Sequence, residues 1–250
     1  MSSIVISELE YAPPGADQLF FDVSFGIAPG EHAALVGANG VGKSTILKIL
    51  TGEYECDGGD FTVNGSVLSM TQDVGMSRPT DTLREMLIEV APTHLRTAGR
   101  ALVAAEKALA DGSDDGMGYA TALGDWGDMG GYELETKWQA AAQRSVKTTV
   151  DDFSRRLVSE LSGGERKRLV LDLLLTSGAD VLLLDEPDNY LDIPTRGWLE
   201  EQIKTCRSTI LMVSHDRTLL ERVATKIVVI EGSGAWVHGG SYLTFPEART

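Results

Sequence analysis

The sequence predicts an α/β domain: a mostly parallel core sheet, a smaller antiparallel β portion and an inserted helical arm. Three observations point there. Apolar runs at 33–36, 181–184 and 209–213 alternate with helical patterns, as strands buried on both faces of a parallel sheet do. Residues 61–63 and 67–70 flank an Asn64-Gly65 turn, the mark of short β pairing. From 82 to 152 the pattern turns helical, interrupting the alternation.

Residues 4–11 alternate enough for an edge strand, which Pro13-Pro14-Gly15 breaks. A second short strand at 23–27 precedes a turn at Pro29-Gly30. The run at 33–36 leads into a Gly-rich loop and a helix over 43–50. In the helical stretch, Leu95, Ala98, Leu102, Ala105 and Leu109 recur at three- and four-residue steps and so share one face. Residues 111–131, rich in Gly and Asp, read as a loop, and a second helix follows with Leu134, Trp138 and Ala141 on one side. This predicts a protruding antiparallel hairpin, with an ordinary helical layer as the alternative. Beyond 152 come a helix at 163–175, a strand at 181–184, a helix at 195–204, a strand at 209–213 and a closing hairpin of 226–230 with 235–238. The expected division is core at 1–81, a helical subdomain with arm hairpin at 82–152, and core again at 153–250, together one domain.

The formal charge of −15 excludes a protein that grips nucleic acid through its overall field, though not a local contact. Cys56 and Cys206 lack metal-ligand spacing and read as free thiols of a reducing compartment. No run approaches the roughly 20 apolar residues of a membrane span. The first eleven residues lack the cationic and long apolar segments of a secretory signal, so a cytoplasmic location is expected.

Residues Gly37-Ala38-Asn39-Gly40-Val41-Gly42-Lys43-Ser44-Thr45 fit the phosphate-loop pattern G-x-x-x-x-G-K-[ST], after an apolar strand and before a helix. Glycines let backbone N–H groups wrap phosphates, and a helix N-terminus favours negative charge. Lys43 can reach β- and γ-phosphates, and the Ser44 hydroxyl can ligate Mg²⁺. Four apolar residues end in Asp185 and Glu186. A carboxylate at the end of a buried strand beside a phosphate loop can hold Mg²⁺, and a second can orient or activate the attacking water. Taken alone, such acids could simply end a strand in a solvated turn. In Leu161-Ser162-Gly163-Gly164-Glu165, a serine and two glycines open a helix, which makes a second phosphate site. One small domain rarely needs two unless the second serves a partner's nucleotide.

These motifs, with residues 181–187 and Ser214-His215, stand in the order seen in ATP-binding cassette proteins, and the resemblance covers nearly the whole chain. It implies ATP-binding and hydrolysis with Mg²⁺, ATP being sandwiched between the Lys43 loop and Ser162, Gly163 and Gly164 of a second, head-to-tail cassette. Gln72 resembles the glutamine that senses Mg²⁺ and the γ-phosphate, and His215 the switch histidine. Glu186, His215 and Gln72 are then the catalytic set, and Ser44, Gln72 and Asp185 the Mg²⁺ set. Leu191-Asp192 resembles the loop that crosses between cassettes, giving Asp192 a place at the partner's ATP. Tyr11 resembles the adenine-stacking aromatic, with Phe20 as the alternative because residues 13–16 lengthen this region.

Asp185-Glu186-Pro187-Asp188-Asn189-Tyr190-Leu191-Asp192 resembles the D-E-P-T-N-H-L-D of the ABC-F group, departing at Asp188 and Tyr190. Residues 130–135, G-G-Y-E-L-E, are similar to the start of that group's second arm helix. The resemblance implies the N-terminal cassette of a soluble two-cassette ATPase acting on the ribosome, in translation or antibiotic resistance. The chain stops about where the linker to a second cassette is expected. Alone it is expected to be monomeric and a weak ATPase. The alternative is the nucleotide-binding subunit of a membrane transporter. Between 82 and 152 seven Lys or Arg face twelve Asp or Glu, so the arm's charge lends no support to RNA binding.

Overall fold

The computed structural model describes residues 3–71, 80–113, 116–231 and 234–238. The chain divides into two compact units, Met1–Gln72 with Leu174–Thr250, and Asp73–Leu173.

The first unit holds two sheets. In the smaller, β1 (Ile4–Tyr11) lies between β2 (Phe20–Ile27) and β4 (Gly58–Val63), all antiparallel. Ile4 and Ile6 point inward, the phase slips at Ser7 and Glu8, and Leu9 points inward again. Glu8 sits at φ 50°, and both ladders lose register here, so β1 is bulged rather than evenly alternating. The larger sheet runs β5-β6-β7-β3-β8-β9, from β5 (Val67–Met70), β6 (Val181–Asp185), β7 (Thr209–Val213), β3 (His32–Gly37), β8 (Lys226–Glu231) and β9 (Gly234–His238). Its pairs are parallel except the closing β8–β9 hairpin. Every residue of β6 and β7 is buried, which is why these strands read as unbroken apolar runs.

The strands flanking Asn64-Gly65 do not pair with each other. β4 joins β1 and β5 joins β6, so the turn passes the chain between sheets. The Asp180 carboxylate holds its far side, accepting from the Ser66 N–H and hydroxyl, both at 2.8 Å. Helix α1 (Lys43–Leu50) buries Ile46, Leu47, Ile49 and Leu50 in one core with Ile4, Phe20, Leu35, Leu183 and Val213. Helices α8 (Ile193–Thr205) and α9 (Arg217–Val223) complete the unit, α9 having gone unpredicted.

The second unit is helical. Helix α2 (Leu83–Glu89) starts at a capping box, in which the Glu85 N–H donates to the Thr82 hydroxyl and the Thr82 N–H to the Glu85 carboxylate. Helix α3 (Thr93–Ala110) buries Leu95, Ala98 and Leu102 as expected, but Leu109 is exposed because the covered face ends near Leu102. The loop expected over 111–131 is corrected by α4 (Met117–Asp128). Its Gly and Asp content masked a helix whose core residue, Trp126, is fully buried. Helix α4 packs on α3 and on α5 (Gly131–Val146), so a third helix stands where the hairpin connector was expected. The Trp126 ring lies so close to Gly131 that a Cβ there would meet it at 2.1 Å, and a Cβ on Gly99 of α3 would meet it at 3.0 Å. Those glycines make room for the indole. The short helix α6 (Val150–Phe153), a 3₁₀ turn at Val158–Glu160 and the start of α7 (Gly163–Thr176) follow.

Candidate functional site

In the larger sheet, β6, β7 and β3 are adjacent and parallel. Their C-terminal ends therefore lie side by side and carry Asp185, Ser214-His215 and the Gly37 loop respectively. The sheet edge where parallel strands deliver their loops is where such folds place ligands.

The loop after β3 turns into α1 through Gly40 and Gly42, both at positive φ (81° and 99°). A Cβ on Gly42 would meet the Phe20 ring at 2.7 Å, so only glycine lets the helix begin this low on the core. Gly37 ends β3 against the Ile230 carbonyl oxygen, while Asn39 and Gly40 are exposed at the loop tip. No side chain caps α1, leaving its first N–H groups to whatever the loop holds. Ser44 and Thr45 are half-buried in the first turn. Lys43 is buried, and its ammonium donates to the carbonyls of Gly37 (3.0 Å) and Ala38 (2.8 Å). Burial holds its pKa below the usual lysine value, against the opposing pull of the Glu186 and Asp185 carboxylates.

Asp185 ends β6 and is buried. The next residue, Glu186, adopts φ 48°, unusual for a side chain that is not glycine, and its N–H donates to the Val213 carbonyl at 2.8 Å. That bond ties it to the end of β7. One carboxylate oxygen, Oε1, lies 3.6 Å from His215 Nε2, and the other, Oε2, accepts from the Asn189 amide. Asp188 is buried and accepts from the Ser214 hydroxyl at 2.7 Å. The loops after β6 and β7 are thus stitched together twice. Nothing local in the sequence signals the Asp188–Ser214 link, because its partners stand 26 positions apart.

Asp192 caps α8, accepting from the Thr195 N–H at 2.9 Å. Beside it, Tyr190 is 79% exposed at φ 64° and Ile193 is 86% exposed. Tyr11, at the end of β1, is half-buried; its ring stacks on Tyr54 (centroids 5.8 Å apart, planes within 7°) and leans on Phe20. Phe20 is fully buried beneath the phosphate loop, so it is corrected from an alternative adenine platform to a core residue. Gln72 lies outside the described residues.

In the helical unit, Ser162 and Gly163 are exposed and Gly164 is half-buried. The start of α7 is a capping box: the Glu165 N–H donates to the Ser162 hydroxyl (3.2 Å), and the Ser162 N–H and hydroxyl donate to the Glu165 carboxylate (2.9 and 2.8 Å). These bonds hold the Glu165 carboxyl below its usual pKa. The hydroxyl expected to be open to a phosphate is therefore engaged by its own helix.

The sequence pattern of the ABC transporter family matches residues 20–189. The chain is 42% identical to an antibiotic resistance protein of Mycobacteroides abscessus, over all of this chain and 46% of that protein. It is 37% identical to the tylosin resistance ATP-binding protein TlrC of Streptomyces fradiae, over 91% of this chain and 42% of TlrC. Identity to the probable ATP-binding protein YheS of Escherichia coli is 33%, over 98% of this chain and 37% of YheS. The chain spans about half the length, or less, of these relatives. Among solved structures, the ATP-binding subunit of an ABC transporter superposes with a TM-score of 0.68 at 19% identity, over 99% of this chain and 93% of that one, a likeness of fold. Among the described residues, no helix is long and apolar enough to cross a membrane. The chain belongs to the ABC transporter family, as an ATPase cassette whose relatives are of the ABC-F type.

Proposed function

We propose that this cassette hydrolyses Mg²⁺–ATP among Lys43, Asp185, Glu186 and His215 and that it acts on the ribosome, in translation or in protection from ribosome-targeting antibiotics. The observation that carries the catalytic part is the placement of Glu186, with Oε1 3.6 Å from His215 Nε2 while its charge and that of Asp185 bear on Lys43. One strand end then supplies a base, the neighbouring loop a γ-phosphate contact, and the phosphate loop a cation. Lys43 leaves the Gly37 and Ala38 carbonyls for the β- and γ-phosphates, whose charge offsets the burial of its ammonium. Glu186 takes the proton of the attacking water, and His215 orients the γ-phosphate. Tyr11, its other face backed by Tyr54, carries the adenine.

The Ser44 hydroxyl, the Asp185 carboxylate and the side-chain oxygen of Gln72 are hard oxygen donors, the chemistry Mg²⁺ takes alongside substrate phosphates. When bound, the ion neutralises charge on the phosphate oxygens. Ser162, Gly163, Gly164 and Asp192 serve the nucleotide of a second cassette, with Ser162 turning from Glu165 to the γ-phosphate. A cassette on its own is then monomeric and slow. The ribosomal part is supported by the 181–192 segment and by relatives described as antibiotic resistance proteins.

The test is ribosome co-sedimentation of the gene's whole product carrying Glu186→Gln, with any second cassette changed likewise. ATP-dependent pelleting is expected. Absence of pelleting, with the protein found beside a membrane-spanning subunit, would replace the ribosomal role with transport.

A further inference from the structure

We propose that Asn189 is the positioning residue for Glu186, its amide holding Oε2 so that Oε1 is presented on the His215 side. The inference rests on Glu186 acting as the base. A glutamate side chain has three rotatable bonds, and a base that abstracts a proton must be aimed before the proton moves. Here the aim comes from three constraints. The Glu186 backbone is fixed at φ 48° by the bond from its N–H to Val213. The Asn189 N–H donates to the Glu186 carbonyl at 3.3 Å and closes a tight turn, which returns the Asn189 side chain to the carboxylate it follows by three residues. Asp188, immediately before Asn189, is anchored to the buried Ser214 hydroxyl, so the turn cannot swing away from the β7 loop.

The residue type suits the task. An amide donates without carrying charge, so it orients the carboxylate without neutralising it as Lys or Arg would. It has no proton to exchange with Glu186 at ordinary pH. Both groups are largely shielded from water, where a hydrogen bond to a carboxylate has more directing force. A different role for Asn189 is equally simple to state: it could serve only to shape the turn. Asparagine and aspartate shape such turns alike, but aspartate has no N–H to give and adds a like charge.

The experiment compares ATP turnover by the full chain with its Asn189→Ala, Asn189→Asp and Glu186→Gln variants and the Asn189→Ala/Glu186→Gln double variant. Matched thermal melting and nucleotide binding serve as the check on folding. Loss of one hydrogen bond to the carboxylate lowers kcat about tenfold in Asn189→Ala, with KM for ATP altered less than about twofold. Asn189→Asp is at least as slow as Asn189→Ala. In the Glu186→Gln background, Asn189→Ala brings no further loss, because the group it aims is gone. Turnover by Asn189→Asp equal to that of the unaltered chain, with Glu186→Gln inactive, would overturn this assignment alone, as would a fall confined to KM. Full turnover by Glu186→Gln itself would remove Glu186 as the base and this assignment with it.

Discussion

Replacing Trp126 by Ala removes an indole that has no exposed surface and that joins its own helix, α4, to both α3 and α5. Its ring lies 6.2 Å from that of Trp138 on α5 and against Gly99 of α3 and Gly131 of α5. A buried tryptophan hides roughly 150–250 Å², which at about 25 cal/mol per Å² corresponds to about 4–6 kcal/mol. An unfolded chain already hides part of that surface, and measured losses for such truncations are about 3–5 kcal/mol, so about 4 kcal/mol is expected. Gly99 and Gly131, against which the ring lies, have no side chain to fold into the gap. The loss is therefore borne by α3, α4 and α5. Hydrogen exchange followed by mass spectrometry measures it: protection across 93–146 falls by several orders of magnitude, while protection in β6 and β7 changes little. Unchanged exchange in α3–α5, or a fall of equal size in β7, would refute the idea that Trp126 is the keystone of a separately stabilised helical unit.

His32 is buried, and burial pushes its pKa below 6.5 despite the carbonyls, among them that of Cys206, that face its ring. The neutral ring is thus favoured in the folded chain; its contribution is complete above pH 6.5 and is lost as pH falls through the lowered folded value. Urea midpoints should drop between pH 7.5 and 5.5, and less so in His32→Gln. Ser214→Ala removes the hydroxyl that satisfies the buried Asp188 carboxylate and should cost about 1–3 kcal/mol in urea unfolding. In Gly42→Ala, the new Cβ meets the Phe20 ring from a backbone at φ 99°; a stability loss of about 1–3 kcal/mol, with weakened binding of a fluorescent ATP analogue, is the expected outcome.

Much of the first unit can be read from the chain because its logic is local. A strand buried on both faces has to be apolar throughout, as 181–184 and 209–213 are, and a phosphate loop has to place its glycines and lysine at fixed intervals. The bulge in β1 is harder to see, since the slip at Ser7 and Glu8 looks like weak alternation until the partner strands are placed. Helix α4 was hidden for a different reason. Glycine and aspartate are poor helix formers, and only packing of Trp126 against α3 and α5 outweighs that preference. In the site, the sequence announces Lys43, Asp185 and Glu186, but not that Asp188 meets Ser214 or that the Asn189 amide turns back on Glu186. The first of these joins distant segments, and the second depends on a left-handed residue that no local pattern demands.

The pairing of β3 has a bearing on how the chain is made. On one side His32 pairs with Ile210, and on the other Ala33 pairs with Lys226, so both neighbours of this strand are supplied from the last fifth of the sequence. Synthesis proceeds from the N-terminus, and a parallel pairing across so long a separation cannot form until its second partner leaves the ribosome. During that interval the segment 73–173, which forms a compact unit of its own, emerges complete and can organise first. The strand that holds the phosphate loop meanwhile waits with both edges bare. The segment proposed to grip nucleotide is among the first to be made and among the last to be framed, so a nascent chain halted before residue 209 carries every residue of the loop and neither partner strand of β3.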